Sequence, residues 1–304
     1  MTSFEWQVTE KNPPQKLRTV IMAHGVTRTL LKQIKFHGGQ IKVNGAEQLT
    51  NYMVTKGDVV TVTLPPEPGN DHVPASNVTL DIVYEDSNWL IVNKPAGVAS
   101  VPAHIYANDS LVNRVKGYYE RQRYENQRVH IVTRLDRDTS GLVIFAKHHM
   151  AHSVLDKQLK EHTLRKEYLA IVVGNFKHEH VEVNLPIGRD PESFVKRRVA
   201  VDGKMAMTEF WVQQHWPQME LVRIQLHTGR THQIRVHMTA LGHPLLGDWL
   251  YNPTNHQMKR QALHCFQVRF YDPFSNKIIS CQAPLPADMK LAIKRANQVD
   301  VTKV

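Results

Sequence analysis

The sequence predicts an α+β fold in two unequal parts, a small N-terminal unit and a larger domain on a mixed, largely antiparallel β-sheet with flanking helices. Beyond residue 79 the chain is a succession of short runs rich in Val, Ile, Tyr and Phe, broken by one or two clear helices, without the regular strand–helix alternation of a parallel sheet. Ahead of that texture lies Leu64-Pro65-Pro66-Glu67-Pro68-Gly69-Asn70-Asp71, whose prolines and glycine can continue neither helix nor strand. The length, 304 residues, also suits two domains at roughly 100 to 200 residues each.

The first unit spans 12–65. Leu17 to Ala23 and Thr29 to Phe36 carry apolar residues at helical spacing and are separated by His24-Gly25. Gln40-Ile41-Lys42-Val43-Asn44-Gly45 alternates and ends in a turn dipeptide, and Val59 to Leu64 reads as a second strand after the Gly57-Asp58 turn. A Pro-rich linker covers 66–78. In the larger domain, 79–295, strands are expected at Thr79–Tyr84, Trp89–Asn93, Leu142–Ala146, Glu167–Val173, Met207–Gln213, Leu221–His227, Ala262–Phe270 and Lys277–Gln282. Met150 to Glu161 is the strongest helix, with Val154, Leu155 and Leu159 on one side and Lys157 and Lys160 towards solvent.

Composition narrows the function. Hydrophobic residues at 41% and charged residues at 22% exclude wholesale disorder and rod-like repeats. Lys plus Arg total 38 against 28 acidic residues, a net charge of +10 that favours a polyanionic partner. Part of the excess is local: from Lys16 to Lys42 there are six basic residues and no acidic one, either a solvated helix face or a phosphate-binding one. Cys265 and Cys281 are too few for a disulfide framework or a four-thiolate zinc site and read as small buried hydrophobes. The N-terminus lacks a basic region followed by an apolar core, and no run of 18 apolar residues occurs, so a cytoplasmic location and no membrane partner are expected.

Three segments carry polar chemistry. Arg134-Leu135-Asp136-Arg137-Asp138-Thr139-Ser140-Gly141 places two carboxylates between arginines at the start of an apolar strand, the rigid base that site residues require; a surface ion-pair cluster is the alternative. In Thr228-Gly229-Arg230-Thr231-His232-Gln233-Ile234-Arg235-Val236-His237-Met238, leading to Leu245-Leu246-Gly247-Asp248, Gly229 can turn a strand into a helix that presents Arg235 on the face of His232, where it could clamp a carboxylate or phosphate. His232 and His237 are expected to be satisfied polar residues at a helix–sheet junction. Arg165-Lys166-Glu167-Tyr168 feeds a strand whose tyrosine serves either packing or stacking on a base. No His-Glu-x-x-His occurs, the His232/His237 spacing is not that of a zinc helix, and His178-Glu179-His180 stands alone, so no metal is expected.

Together with Val83-Tyr84-Glu85-Asp86 and the rigid turn Asn93-Lys94-Pro95-Ala96-Gly97, these motifs resemble the pseudouridine synthases of the large-subunit-rRNA type, the RluA/RluD group, over nearly the whole chain beyond the linker. The N-terminal pattern Leu17-Arg18…Gly25-Val26-Thr27-Arg28…Gly39-Gln40-Ile41-Lys42-Val43-Asn44-Gly45…Lys56-Gly57-Asp58 resembles the α-L RNA-binding domain named after a small-subunit ribosomal protein. One position departs: the family's Arg-Leu-Asp is commonly preceded by His, and here by Thr133.

The resemblance implies isomerisation of uridine to pseudouridine without a cofactor, in keeping with the absence of a dinucleotide fingerprint or P-loop. It implies Asp136 as the catalytic carboxylate, acting on the sugar by attack or by proton abstraction, Arg235 as a bidentate partner that keeps Asp136 charged and aimed, and Tyr168 packed against the target base. Arg134 is expected to contact a flanking phosphate or fill the space of the extruded base. Arg28, Lys32, Lys35 and Lys42 are the expected RNA contacts of the N-terminal unit. The RNA is expected to be rRNA or else tRNA, and the protein a monomer. A catalytically silent RNA-binding assembly factor and a glycoside hydrolase using Asp136 with Asp138 are the alternatives, the latter weakened because residues i and i+2 of an extended loop point apart.

Overall fold

In the computed structural model, which describes residues 2–9, 14–103 and 107–301, the N-terminal unit comprises β1 (Ser3–Gln7), β2 (Gln15–Lys16), α1 (Leu17–Ala23), α2 (Arg28–Phe36), β3 (Gln40–Val43), β4 (Ala46–Glu47), β5 (Met53–Val54) and β6 (Val59–Thr63). Thr27 caps α2, its hydroxyl accepting the Leu30 amide at 3.2 Å. Leu17, Val20, Ile21, Leu30, Leu31 and Ile34 from the two helices meet Ile41, Val43, Val60 and Val62 in one buried core. Strand β1 pairs antiparallel with β6, Ser3 opposite Thr63, so this sheet, ordered β1-β6-β3-β4, recruits residues ahead of position 12, which itself lies outside the described residues. The alternation of Phe4 and Trp6 with polar neighbours is the strand signal.

The larger part comprises β7 (Ile82–Glu85), β8 (Trp89–Lys94), α3 (Leu111–Gln122), β9 (His130–Ile131), β10 (Ser140–Ala146), α4 (His149–Lys160), β11 (Arg165–Val173), β12 (His180–Asn184), β13 (Ile187–Arg189), β14 (Arg197–Val199), β15 (Met207–Trp216), β16 (Met219–Leu226), α5 (Gln233–Ala240), β17 (Leu263–Asp272), β18 (Lys277–Gln282) and α6 (Ala287–Val301). Ten strands form one sheet with the path β12-β15-β16-β11-β17-β10-β8-β7; β18 joins β17 and β9 joins β10. The fold is therefore α+β, and every pairing in this sheet is antiparallel except β10 with β17.

That parallel contact explains Gly141, whose φ is +114° and where a Cβ would sit 2.2 Å from the Cys265 carbonyl oxygen. Only glycine allows the backbones so close. Strand β10 is buried along its whole length and centres a core that includes Trp89, Ile91, Phe145, Phe210 and Phe270.

The proline-rich segment 66–78 is laid against the larger domain. Buried Glu67 accepts the His130 ring at 2.7 Å and the His149 amide at 2.7 Å, while the Lys116 ammonium donates to the Asn70 and Val73 carbonyls at 3.0 and 2.7 Å. Met150 of α4 reaches into the core of the N-terminal unit, and the Phe4 and Phe274 rings lie 5.0 Å apart, so the unit is seated on the larger part. No helix among the described residues is long and apolar enough to cross a membrane.

Candidate active site

The loop between β9 and β10 is pinned before it reaches Asp136. The Ser100 hydroxyl donates to the Leu135 carbonyl at 2.6 Å and accepts the Leu135 amide at 3.0 Å, and Thr133, in place of the more common histidine, accepts the Ile144 amide at 3.0 Å. Beyond it, the Thr139 amide donates to the Asp136 carbonyl at 3.1 Å, closing a tight turn. The Asn93-Lys94-Pro95-Ala96-Gly97 turn supports this loop from beneath. Lys94 is fully buried and donates to the carbonyls of Pro95, Val98 and Arg137 at 3.0, 2.8 and 2.8 Å, while the Gly97 amide donates to the Arg137 carbonyl at 3.0 Å. Burial pushes the Lys94 ammonium down to about 7 against the pull of Asp138 and Asp136, and its three carbonyls are all satisfied only by the protonated form. Asp136 keeps 29% of its side chain accessible, enough for a substrate to touch it.

Arg235 comes to the same point from α5, with 4% of its side chain exposed. Its bidentate grip is on Asp248, Nε and Nη2 donating to Oδ2 and Oδ1 at 2.8 and 2.7 Å, while Nη1 lies 3.5 Å from Asp136 Oδ2. This corrects the expected pairing: the fork that fixes the guanidinium is closed by Asp248, and Asp136 receives the remaining nitrogen. Burial opposes the Arg235 charge, but Asp248 and then Asp136 outweigh it and hold the group above its ordinary range. Asp248 is wholly buried and also accepts the Leu250 and Tyr251 amides at 3.0 and 3.1 Å.

His232 sits at the N-terminus of α5 with φ +58°. Its Nδ1 lies 3.0 Å from the Tyr251 hydroxyl and its Nε2 lies 3.9 Å from Asp136 Oδ2. The Arg197 amide donates to the same hydroxyl at 2.9 Å. Burial lowers the His232 pKa, with Arg235 and Arg197 adding to the effect and Asp136 opposing it. His232 thus borders Asp136, whereas His237 is the satisfied junction histidine, held by the Thr208 hydroxyl at 2.8 Å and the Leu185 carbonyl at 3.1 Å.

Tyr168 lies on β11 immediately after a bulge in its pairing with β17, which re-aims the strand's side chains. The residue is 4% exposed, and burial, with the buried Cys265 thiol and the Asp136 carboxylate nearby, pushes its hydroxyl well above the ordinary tyrosine range. It is a phenol at all physiological pH, able to donate a hydrogen bond but not to serve as a phenolate base. Asp138 pairs with Arg137 at 2.9 and 2.7 Å. Burial raises its pKa, but the Arg137 fork, aided by Trp249 and Lys94, outweighs that and keeps the carboxyl below its ordinary range.

The fold thus brings Asp136, Arg235 and Tyr168 into one neighbourhood, with Arg134 exposed on the same loop. Arg28, Lys32 and Lys35 line one exposed face of α2 at i, i+4 and i+7, with Lys42 half-buried on β3, all on the N-terminal unit. Sequence reasoning missed Asp248, Tyr251 and the support role of Lys94; the available signal for Asp248 was its place at the end of the segment that carries Arg235. A cleft of about 690 Å³ lined by Asp81, Arg114, Arg260 and His264 shares Lys94 with this neighbourhood but none of Asp136, Tyr168 and Arg235. One His/carboxylate group, His180, Glu182 and Glu209, converges on the surface of β12 and β15; Glu209 is already paired with the His180 and His227 rings at 2.9 Å each.

Comparison with known proteins identifies the family. Residues 88–240, which hold the Asp136 loop, Tyr168 and Arg235, match the family model described as RNA pseudouridylate synthase. The RNA pseudouridine synthase YjbO of Bacillus subtilis is 41% identical over 273 residues, 90% of this chain and 96% of that protein. Ribosomal large subunit pseudouridine synthase D of Nitrosomonas europaea is 34% identical, covering 82% of this chain and 74% of that one. The solved structure of human RNA pseudouridylate synthase domain containing 1 superposes with a TM-score of 0.59 at 26% identity over 72% of this chain and 89% of that one. A family model matched over half of the chain and a relative 41% identical over nearly its whole length lead to one assignment: the chain is an RNA-modifying isomerase of the RNA pseudouridylate synthase family.

Proposed function

We propose that the enzyme isomerises uridines of large-subunit ribosomal RNA through Asp136, acting as a cytoplasmic monomer without metal or cofactor. The observation that carries the catalytic assignment is the Arg235 guanidinium, locked by Asp248 and presenting its remaining nitrogen 3.5 Å from Asp136 Oδ2, in a site where that carboxylate alone of the three is open to substrate. The substrate class rests on the relatives named ribosomal large subunit pseudouridine synthase D, from Nitrosomonas europaea and Vibrio parahaemolyticus.

In the reaction the N1–C1′ bond of uridine breaks, the uracil turns over, and a C5–C1′ bond forms; C5 loses a proton and N1 gains one, so nothing is consumed. Asp136 acts at the sugar, either as nucleophile or as the base for a sugar proton. The Arg235 charge offsets the cost of holding a carboxylate where water is excluded. Tyr168, fixed as a phenol, packs against the base and can donate a hydrogen bond to it. Arg134 meets a flanking phosphate or fills the stack vacated by the flipped nucleotide, a displacement that costs a few kcal/mol, repaid by backbone contacts. The N-terminal unit, read as an α-L domain, supplies Arg28, Lys32, Lys35 and Lys42 to phosphates.

The test is a map of pseudouridine, by carbodiimide treatment and primer extension, in RNA from cells with and without the gene. Loss of large-subunit rRNA sites restored by wild type but not by Asp136→Asn is the expected outcome. Loss confined to tRNA would overturn the substrate, and rescue by Asp136→Asn would overturn the catalytic residue.

A further inference from the structure

Trp249 follows Asp248 directly in sequence, yet 52% of it is exposed. It is nevertheless a fixed residue. Its indole N–H donates to Asp138 Oδ2 at 3.3 Å, on the carboxylate that the Arg137 guanidinium grips at 2.9 and 2.7 Å. The turn beneath it is held by the Leu250 and Tyr251 amides on Asp248 Oδ1 and by the buried Leu250 side chain. Among the described residues no other aromatic ring stacks on the indole. A large apolar π-surface, pinned in orientation and left open to water, thus stands at the rim of the site, one residue along the chain from the aspartate that locks Arg235. Arg137, the neighbour of Asp136, reaches the same carboxylate with 41% of its side chain exposed.

We propose that Trp249 is a stacking subsite for an unpaired nucleobase beside the flipped uridine. The proposal rests on the reading of Asp136 as the catalytic carboxylate, since it is that carboxylate which places the uridine next to the indole. Extruding one nucleotide strips its neighbours of a stacking partner, and an aromatic face replaces that partner whatever the base, because every base has a π-face. The hydrogen bond to Asp138 preorients the ring, so little freedom is lost when a base lands on it. The same bond also permits a different role, in which the indole merely braces Asp138 and through it the Asp136 loop.

The two roles separate by substitution. Trp249→Phe keeps a stacking face and removes the N–H; Trp249→Ala removes both. In the Asp136→Asn protein, each variant is titrated with a short oligouridylate and with an abasic ribose-phosphate oligomer of equal length, following indole fluorescence and anisotropy. The subsite predicts that oligouridylate quenches an indole signal that is missing from both variants. It also predicts that Trp249→Ala binds oligouridylate about 5- to 150-fold more weakly, as the loss of one stacked base requires, while Trp249→Phe stays within a few-fold and the abasic oligomer binds all three alike. With Asp136 restored, Trp249→Ala should raise KM for transcribed large-subunit rRNA and leave kcat within a few-fold. Equal binding of oligouridylate by parent and Trp249→Ala, or a Trp249→Phe variant as impaired as Trp249→Ala, would overturn the subsite. Turnover by the Asp136→Asn parent would overturn the catalytic reading instead, without changing the binding comparison.

Discussion

Removing the Asp248 charge separates what holds Arg235 from what Arg235 does. Asp248 and Arg235 are 0% and 4% exposed, joined by two hydrogen bonds of 2.7 and 2.8 Å, so Asp248→Asn leaves a buried guanidinium short of its principal counter-charge. Breaking such a pair by removing one partner costs about 3–5 kcal/mol, and the lower end applies because the amide oxygen of Asn still accepts one bond. At about 2–4 °C per kcal/mol for a chain somewhat shorter than this one, the midpoint of thermal unfolding should fall by roughly 6–12 °C. The freed guanidinium can swing towards Asp136, and misplacement of this order slows chemistry by up to about a hundredfold, so single-turnover rates at a temperature where the variant is folded should drop about 10- to 100-fold with RNA affinity unchanged. Arg235→Met with Asp248→Asn removes the buried unpaired guanidinium while keeping an acceptor for the Leu250 and Tyr251 amides, and should recover part of the lost stability but none of the turnover. A midpoint unchanged in Asp248→Asn, or a double variant that turns over like wild type, would refute the account.

Three other outcomes follow from the same geometry. Lys32→Ala with Lys35→Ala should weaken RNA binding and flatten the dependence of log affinity on log salt by up to about 0.7 to 0.9 for each phosphate no longer neutralised; an unchanged slope in a salt titration would place the RNA elsewhere. His148 is 1% exposed, accepts the Ala151 amide at 3.1 Å through Nδ1, and is pushed by burial down to about 4 from 6.5, so the unfolded chain binds the extra proton between those values and stability should decline as pH falls from about 6.5 to about 4. His148→Gln should remove part of that decline in urea unfolding followed across pH; an identical slope would assign it to other groups, with His264, also held near 4 by burial, the first to examine. Turnover should survive treatment with a chelator, and loss restored by added zinc would overturn the metal-free mechanism.

Much of the fold is legible in the sequence because local rules agree with the tertiary outcome. Leu17–Ala23 forms a helix over the residues its periodicity predicts, and α2 and α4 each begin one residue earlier than expected. The β-branched runs around Leu142, Glu167 and Lys277 are strands. Where the reading fails, a long-range contact overrides local preference. Helix α3 escaped notice because Gly117 interrupts its pattern; a Cβ there would sit 2.0 Å from the Ser76 carbonyl oxygen, so the glycine is required by the segment that crosses the helix, and the Ser110–Asn113 capping box was the signal left to find. Segment 66–78 reads as a linker because prolines disqualify it from regular structure, yet carboxylate and ammonium partners from distant elements fasten it down.

The site divides the same way. Asp136, Tyr168 and Arg235 were legible as candidates only through the family resemblance that their motifs carry; residue types alone left a surface ion-pair cluster and strand packing open for the first two. Which carboxylate Arg235 grips is not a local property. Asp248 lies 13 residues away and Asp136 lies 99 away, and the fork could close on either until α5 packs under the turn that carries Asp248. The guanidinium spends its Nε–Nη2 edge on Asp248, and at 4% exposure it has no room to turn; its packing, not the spacing of charges, selects the partner and leaves Asp136 partly exposed.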